Sequence, residues 1–141
     1  MTNKKRYVNA FRSTIKKYLN PIGEYFFSTV SCPICIVTTS INSSYVCIPC
    51  PMANYKGKSG CDRFRTFRKA EKEFRIDNFN LCTAEALTPK IRDAFIARAI
   101  GLEKILKVIE GWPNEQFTTL GWKFPGKEFM RLYLHYPNKS W

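Results

Sequence analysis

The sequence predicts an α+β fold: a small single domain with about three helices, a cysteine-knuckle segment and a C-terminal β-hairpin. Three observations predict it. Apolar residues recur at helical spacing in 4–19, 62–75 and 89–110. β-Branched and aromatic runs surround paired cysteines between 24 and 50, and apolar residues alternate on both sides of Pro125-Gly126. A chain of 141 residues, 45% of them hydrophobic, can bury one core. We therefore read 1–141 as one domain, made of a basic amphipathic helix (1–22), a Cys-rich zinc-knuckle segment (23–61), and helices with a hairpin (62–141). A multidomain enzyme, a collagen-like chain and a wholly disordered chain are excluded.

In residues 4–19, Tyr7, Phe11, Ile15 and Tyr18, with Val8 and Leu19, form the apolar stripe. Lys5, Arg12 and Lys16, flanked by Arg6 and Lys17, take the other side, and Asn20-Pro21 ends the helix. That basic face is open to three readings: solvated surface, phosphate contact or membrane-surface contact. Tyr25–Val30 and Ile36–Ile41 read as short strands or knuckle arms, and Asn42-Ser43-Ser44 turns the chain before Tyr45. In residues 62–75, Phe67, Ala70 and Phe74 share a face with Phe64 at its margin. Arg65, Arg68, Lys69, Lys72 and Arg75 occupy the adjoining arc, behind a capping Asp62.

The helix over 89–110 carries the clearest end signals. Thr88 is its N-cap, Pro89 suits the first turn, and Gly111 ahead of Trp112-Pro113 serves as the C′ glycine. Ile91, Phe95, Leu102, Leu106 and Ile109 form its core stripe. The tail alternates through Leu120, Trp122 and Phe124, turns at Pro125-Gly126, and alternates again through Met130, Leu132, Leu134 and Tyr136. Such a hairpin requires a helix beneath it.

The cysteines carry the strongest chemical signal. Cys32-x2-Cys35 and Cys47-x2-Cys50 are two knuckles, and Cys61 follows the flexible Gly57–Gly60. A C-x2-C turn lets two thiolates converge on one ion while backbone N–H groups donate to the sulfurs, so two knuckles complete a tetrahedral shell. Four of Cys32, Cys35, Cys47, Cys50 and Cys61 are expected to bind structural Zn2+, with an iron–sulfur cluster as the alternative. Cys32-Pro-Ile-Cys35 also resembles the C-P-x-C pair of thioredoxin-like proteins, which sits at a helix N-terminus. Ile36–Ile41 reads as a poor helix start, and a metal accounts for both pairs where redox chemistry accounts for one. Cys82 is expected to be a buried structural thiol, and His135, the single histidine, a surface or satisfied side chain.

The series Cys32-Pro-Ile-Cys35, Cys47-Ile-Pro-Cys50-Pro51-Met52 and Gly60-Cys61, followed by the helix Ile91–Ile109, resembles small cysteine-rich proteins of tailed bacteriophages. The resemblance covers the middle third and that helix. It implies phage or prophage origin and metal binding, with no activity attached.

No phosphate-binding glycine loop, dinucleotide fingerprint, H-E-x-x-H or G-x-S-x-G occurs, and an all-thiolate zinc shell leaves no open position, so no catalysis or small-molecule substrate is expected. Met1–Ala10 has no apolar stretch behind it, and no run is long enough to span a bilayer. The expected location is therefore the cytoplasm of a cell, with a virion as the other possibility, and no membrane partner. The formal net charge is +12, with bases concentrated in 1–31 and 56–75. Nucleic acid is the first expected partner, contacted by Lys56, Lys58, Arg63, Arg65, Arg68, Lys69 and Lys72. The alternative is an acidic host or virion protein bound by an accessory or inhibitory phage protein.

Overall fold

The computed structural model describes residues 1–27, 31–41, 65–74 and 81–117, and in them the chain is helical. Four α-helices, α1 (Asn3–Leu19), α2 (Pro33–Ile41), α3 (Arg65–Phe74) and α4 (Pro89–Glu110), are followed by a 3-10 turn at Asn114–Gln116. The α+β expectation is thereby corrected to a mostly helical fold, since the described residues contain no strand or sheet. In the described part of the expected strand Tyr25–Val30, residues 25–27, Tyr25 forms an isolated antiparallel bridge with Leu81, and 28–30 lie outside the described residues. The expected strand Ile36–Ile41 is helix α2. The hairpin expected over 120–136 lies outside the described residues.

Helix α1 forms where its pattern requires. Thr2 caps it, its hydroxyl accepting from the Lys5 N–H at 3.2 Å. Tyr7, Ala10, Phe11, Thr14 and Tyr18 are buried, with Val8 and Ile15 packed partly against the core. Leu19, expected in that stripe, is 47% exposed at the helix end. α1 packs antiparallel on α4, with Tyr18 against Phe95 (5.2 Å between centroids) at one end and Arg12 paired with Glu110 at 3.6 Å near the other. It also packs antiparallel on α2, where Tyr7 Oη meets Thr38 Oγ1 at 3.0 Å.

Helix α2 is short and rich in β-branched residues, yet Ile34, Val37, Thr38 and Ile41 sit at i, i+3, i+4 and i+7, and all turn inward. Two hydroxyls bond back to the helix, Thr38 to the Ile34 carbonyl at 2.8 Å and Ser40 to the Val37 carbonyl at 2.7 Å. Tertiary packing thus overrides β propensity.

Helix α3 lies antiparallel along the first half of α4, with Ala70 and Phe74 buried and Lys90 paired to Glu73 at 3.3 Å. Tyr18, Phe26, Phe74 and Phe95 form an aromatic cluster, with Phe26 and Phe95 centroids 4.7 Å apart. Phe27 joins it in the left-handed region at φ 62°, a conformation that costs an L-residue about 1–2 kcal/mol, and its ring stands edge-on to Phe67 at 5.5 Å.

Helix α4 begins as its signals require, the Thr88 hydroxyl accepting from the Ile91 N–H at 3.3 Å with Pro89 in the first turn. All five stripe residues are buried. Its end differs from expectation. Gly111 has φ −81°, not the left-handed conformation of a C′ glycine. The last turn instead tightens through bonds from the Gly111 N–H to the Val108 carbonyl and from the Trp112 N–H to the Ile109 carbonyl, both 3.1 Å. No described helix is long and apolar enough to cross a membrane.

Candidate metal centre and basic face

Cys32 occupies the N-cap of α2. Its carbonyl accepts the first helical bond, from the Ile36 N–H at 2.9 Å, and Pro33 follows at N1. This corrects the reasoning that Ile36–Ile41 makes a poor helix start: the C-P-x-C pair does sit at a helix N-terminus. The Cys32 sulfur accepts from the Cys35 thiol and from the backbone N–H groups of Cys35 and Ile34. Those are the N2 and N3 donors that a capping anion satisfies. The Cys35 thiol, and then the two N–H groups, pull the Cys32 pKa down to about 6 against the effect of burial, and the Arg98 guanidinium adds to the pull.

Two cations flank this sulfur. Arg98, on α4, is 3% exposed and stacks over the Phe67 ring at 5.2 Å. Lys17, on α1, donates to the carbonyls of Tyr25 and of Ser31 (2.9 Å to the latter) and lies 4.8 Å from the Phe26 ring centroid. Burial lowers the Lys17 pKa, while Cys32 and Glu24 act to raise it. Lys17, Phe26, Phe27, Ser31, Cys32 and Pro33 enclose a cavity of about 20 Å³ beside the sulfur, the size of a single water molecule. Sequence reasoning missed both cations. Arg98 was detectable, because a charged residue between Phe95 and Leu102 stands on the core stripe of α4.

The structure thus brings Cys32 and Cys35 together. Cys47, Cys50 and Cys61 lie outside the described residues, among which no group of three His, Cys, Asp or Glu side chains gathers. Cys82 is fully buried, and desolvation raises its pKa. The donor set fits a thiophilic ion at the two described ligands: their sulfurs are within hydrogen-bonding reach of one another, and the backbone N–H groups that stabilise the thiolate are those of a knuckle.

Of the expected phosphate contacts, Lys56, Lys58 and Arg63 lie outside the described residues and Arg65 opens α3. Arg68, Lys69 and Lys72 are exposed on α3, opposite its buried face, and make no ion pair among the described residues. Comparison with protein-family models, curated proteins and solved structures yields no match.

Proposed function

We propose that the protein is a basic, zinc-stapled helical domain that binds nucleic acid and performs no catalysis. The observation that carries this reading is the division of α3. Ala70 and Phe74 fix the helix on α4, and this leaves Arg68, Lys69 and Lys72 in water on one face. A rigidly held row of cations displaces the counterions condensed on a phosphate backbone, which makes binding favourable and salt-dependent. Lys56, Lys58, Arg63 and Arg65, immediately before and at the start of α3, extend the same charge in sequence.

Zinc would be held by Cys32, Cys35 and two of Cys47, Cys50 and Cys61, where it supplies folding energy and no chemistry. Protein purified without added metal should be colourless and contain one zinc per chain. A brown sample identifies an iron–sulfur cluster instead, and metal-free protein from anaerobic preparation overturns both.

The binding test is fluorescence anisotropy with mixed DNA and RNA across a salt series. Reversing the three exposed cations (Arg68→Glu, Lys69→Glu, Lys72→Glu) should lower the slope of log K against log salt by about 2–3. No retention of either nucleic acid at low salt, with stoichiometric capture of one acidic protein, would replace this reading with protein binding.

A further inference from the structure

Between α1 and α2 lies an open groove of about 320 Å³, lined among the described residues by Arg6, Asn9, Ser13, Pro33, Ile36 and Val37. Its floor is aliphatic. Ile36 is 52% exposed there, whereas Ile34 of the same helix is 3% exposed. Arg6, Asn9 and Ser13 form its α1 wall, and further cations lie on the adjoining arc of α1, outside the groove. Lys5, Asn9, Arg12 and Lys16 recur at i, i+4, i+7 and i+11, and all four are exposed. α1 carries six cations and no acid, α2 carries no charge, and Glu24 is the single acid before Asp62.

We infer that this groove docks an acidic amphipathic helix of a partner protein, at a site separate from the cationic face of α3. Two antiparallel helices with an apolar seam accept a third helix whose apolar residues recur at i, i+3, i+4 and i+7. The occupant's acidic flank meets Lys5 and Lys16, on the arc of α1 beside the Asn9 rim of the groove, which steer the encounter and set orientation. A second copy of this chain is disfavoured, because a two-fold contact would bring one cation row against the other. Nucleic acid is disfavoured because the described lining offers no aromatic ring for a base and an aliphatic floor would strip water from phosphate.

The probe is a fluorescein-labelled synthetic helix with leucines at i, i+3, i+4 and i+7 flanked by glutamates, alongside its lysine-flanked counterpart. Anisotropy measures affinity, and amide chemical-shift mapping of the full chain locates it. The glutamate helix should bind and shift Asn9, Ser13, Ile36 and Val37, and the lysine helix should not. Ile36→Glu should weaken binding at least about tenfold, the effect of losing a central apolar anchor. Lys5→Glu with Lys16→Glu should weaken it severalfold and flatten its salt dependence, whereas the triple reversal on α3 should leave it unchanged. Circular dichroism and Tm confirm that each variant is folded.

The inference is overturned by equal binding of both helices, by undiminished affinity of folded Ile36→Glu, or by shifts confined to another face. Competition by an oligonucleotide would assign the groove to nucleic acid. A concentration-dependent dimer in sedimentation that Ile36→Glu abolishes would assign it to a second copy.

Discussion

The assignment of residues 36–41 to a helix rather than a strand rests on how Thr38 meets α1, and a double-mutant cycle tests it. Tyr7 and Thr38 are both fully buried, 3.0 Å apart at their hydroxyls. The Thr38 hydroxyl gives its proton to the Ile34 carbonyl at 2.8 Å, so the Tyr7 O–H donates to Thr38. A neutral hydrogen bond of this kind contributes about 0.5–1.5 kcal/mol net. Tyr7→Phe should cost about 1 kcal/mol, and Thr38→Val, close in shape, about 1–2 kcal/mol because it also loses the bond to Ile34. Once one hydroxyl is gone the other has nothing to lose in that bond, so the double variant should fall short of the sum by about 1 kcal/mol. Urea unfolding at constant m reads these differences, and each kcal/mol should lower Tm by roughly 3–6 °C for a domain of this size. Additivity within about 0.3 kcal/mol would mean that the hydroxyls do not touch, and the docking of α2 on α1 would be wrong.

Further perturbations test the core, the backbone and the thiol pair. Phe95→Ala removes the ring that Tyr18, Phe26 and Phe74 all contact and should cost about 3–5 kcal/mol in the same assay. Gly111→Ala should be neutral or stabilise by up to about 1 kcal/mol, since φ is −81° and an added Cβ meets only the Val108 carbonyl, at 3.4 Å. Gly23→Ala should destabilise by about 1–2 kcal/mol, because φ is +86° although the space is empty. In metal-free protein, iodoacetamide should alkylate Cys32 with a midpoint near pH 6, and zinc should protect it; a midpoint above 8 would remove the N-cap thiolate. Because the folded pKa is depressed from 9.0 to about 6, the thiolate's contribution to stability should be complete above pH 9 and vanish as pH falls through 6, a slope that Cys32→Ser should lack.

Three of the four helices were legible because their signals agree at every level. In α4 the N-cap, the proline at N1 and the stripe from Ile91 to Ile109 point the same way. α2 was misread because two signals conflict. Ile36-Val37-Thr38-Thr39 favours a strand by side-chain shape, while Ile34, Val37, Thr38 and Ile41 keep helical period behind Pro33. The period prevails because the Thr38 hydroxyl, bonded within α2 to the Ile34 carbonyl, also meets Tyr7 of α1, an interaction no local window contains. The same long-range cause hid half of the thiol site. C-x2-C spacing reveals that Cys32 and Cys35 converge, but Lys17 and Arg98 reach Cys32 from α1 and α4, far along the chain.

The distribution of acids then explains why one strongly basic chain can present two chemically distinct faces. On α3, Glu73 is drawn to Lys90 beside the α4 contact, and Arg68, Lys69 and Lys72 are exposed on the other side, a surface suited to a flexible polyanion. α1 itself carries no acid, Arg12 reaching Glu110 of α4 while Lys5 and Lys16 stay exposed, and the neighbouring wall of α2 is aliphatic, a surface suited to a ligand that is apolar along one stripe and acidic beside it. α4 is the common support, since α1 and α3 each pack on it. Its buried stripe therefore holds the two faces in fixed relation while leaving their charges independent. Reversing charge on α3 should consequently spare peptide binding, and reversing Lys5 and Lys16 should spare most of the salt-dependent affinity for nucleic acid. If instead either set abolished both, the two faces would be one continuous site, and the separation argued from the acids would be wrong.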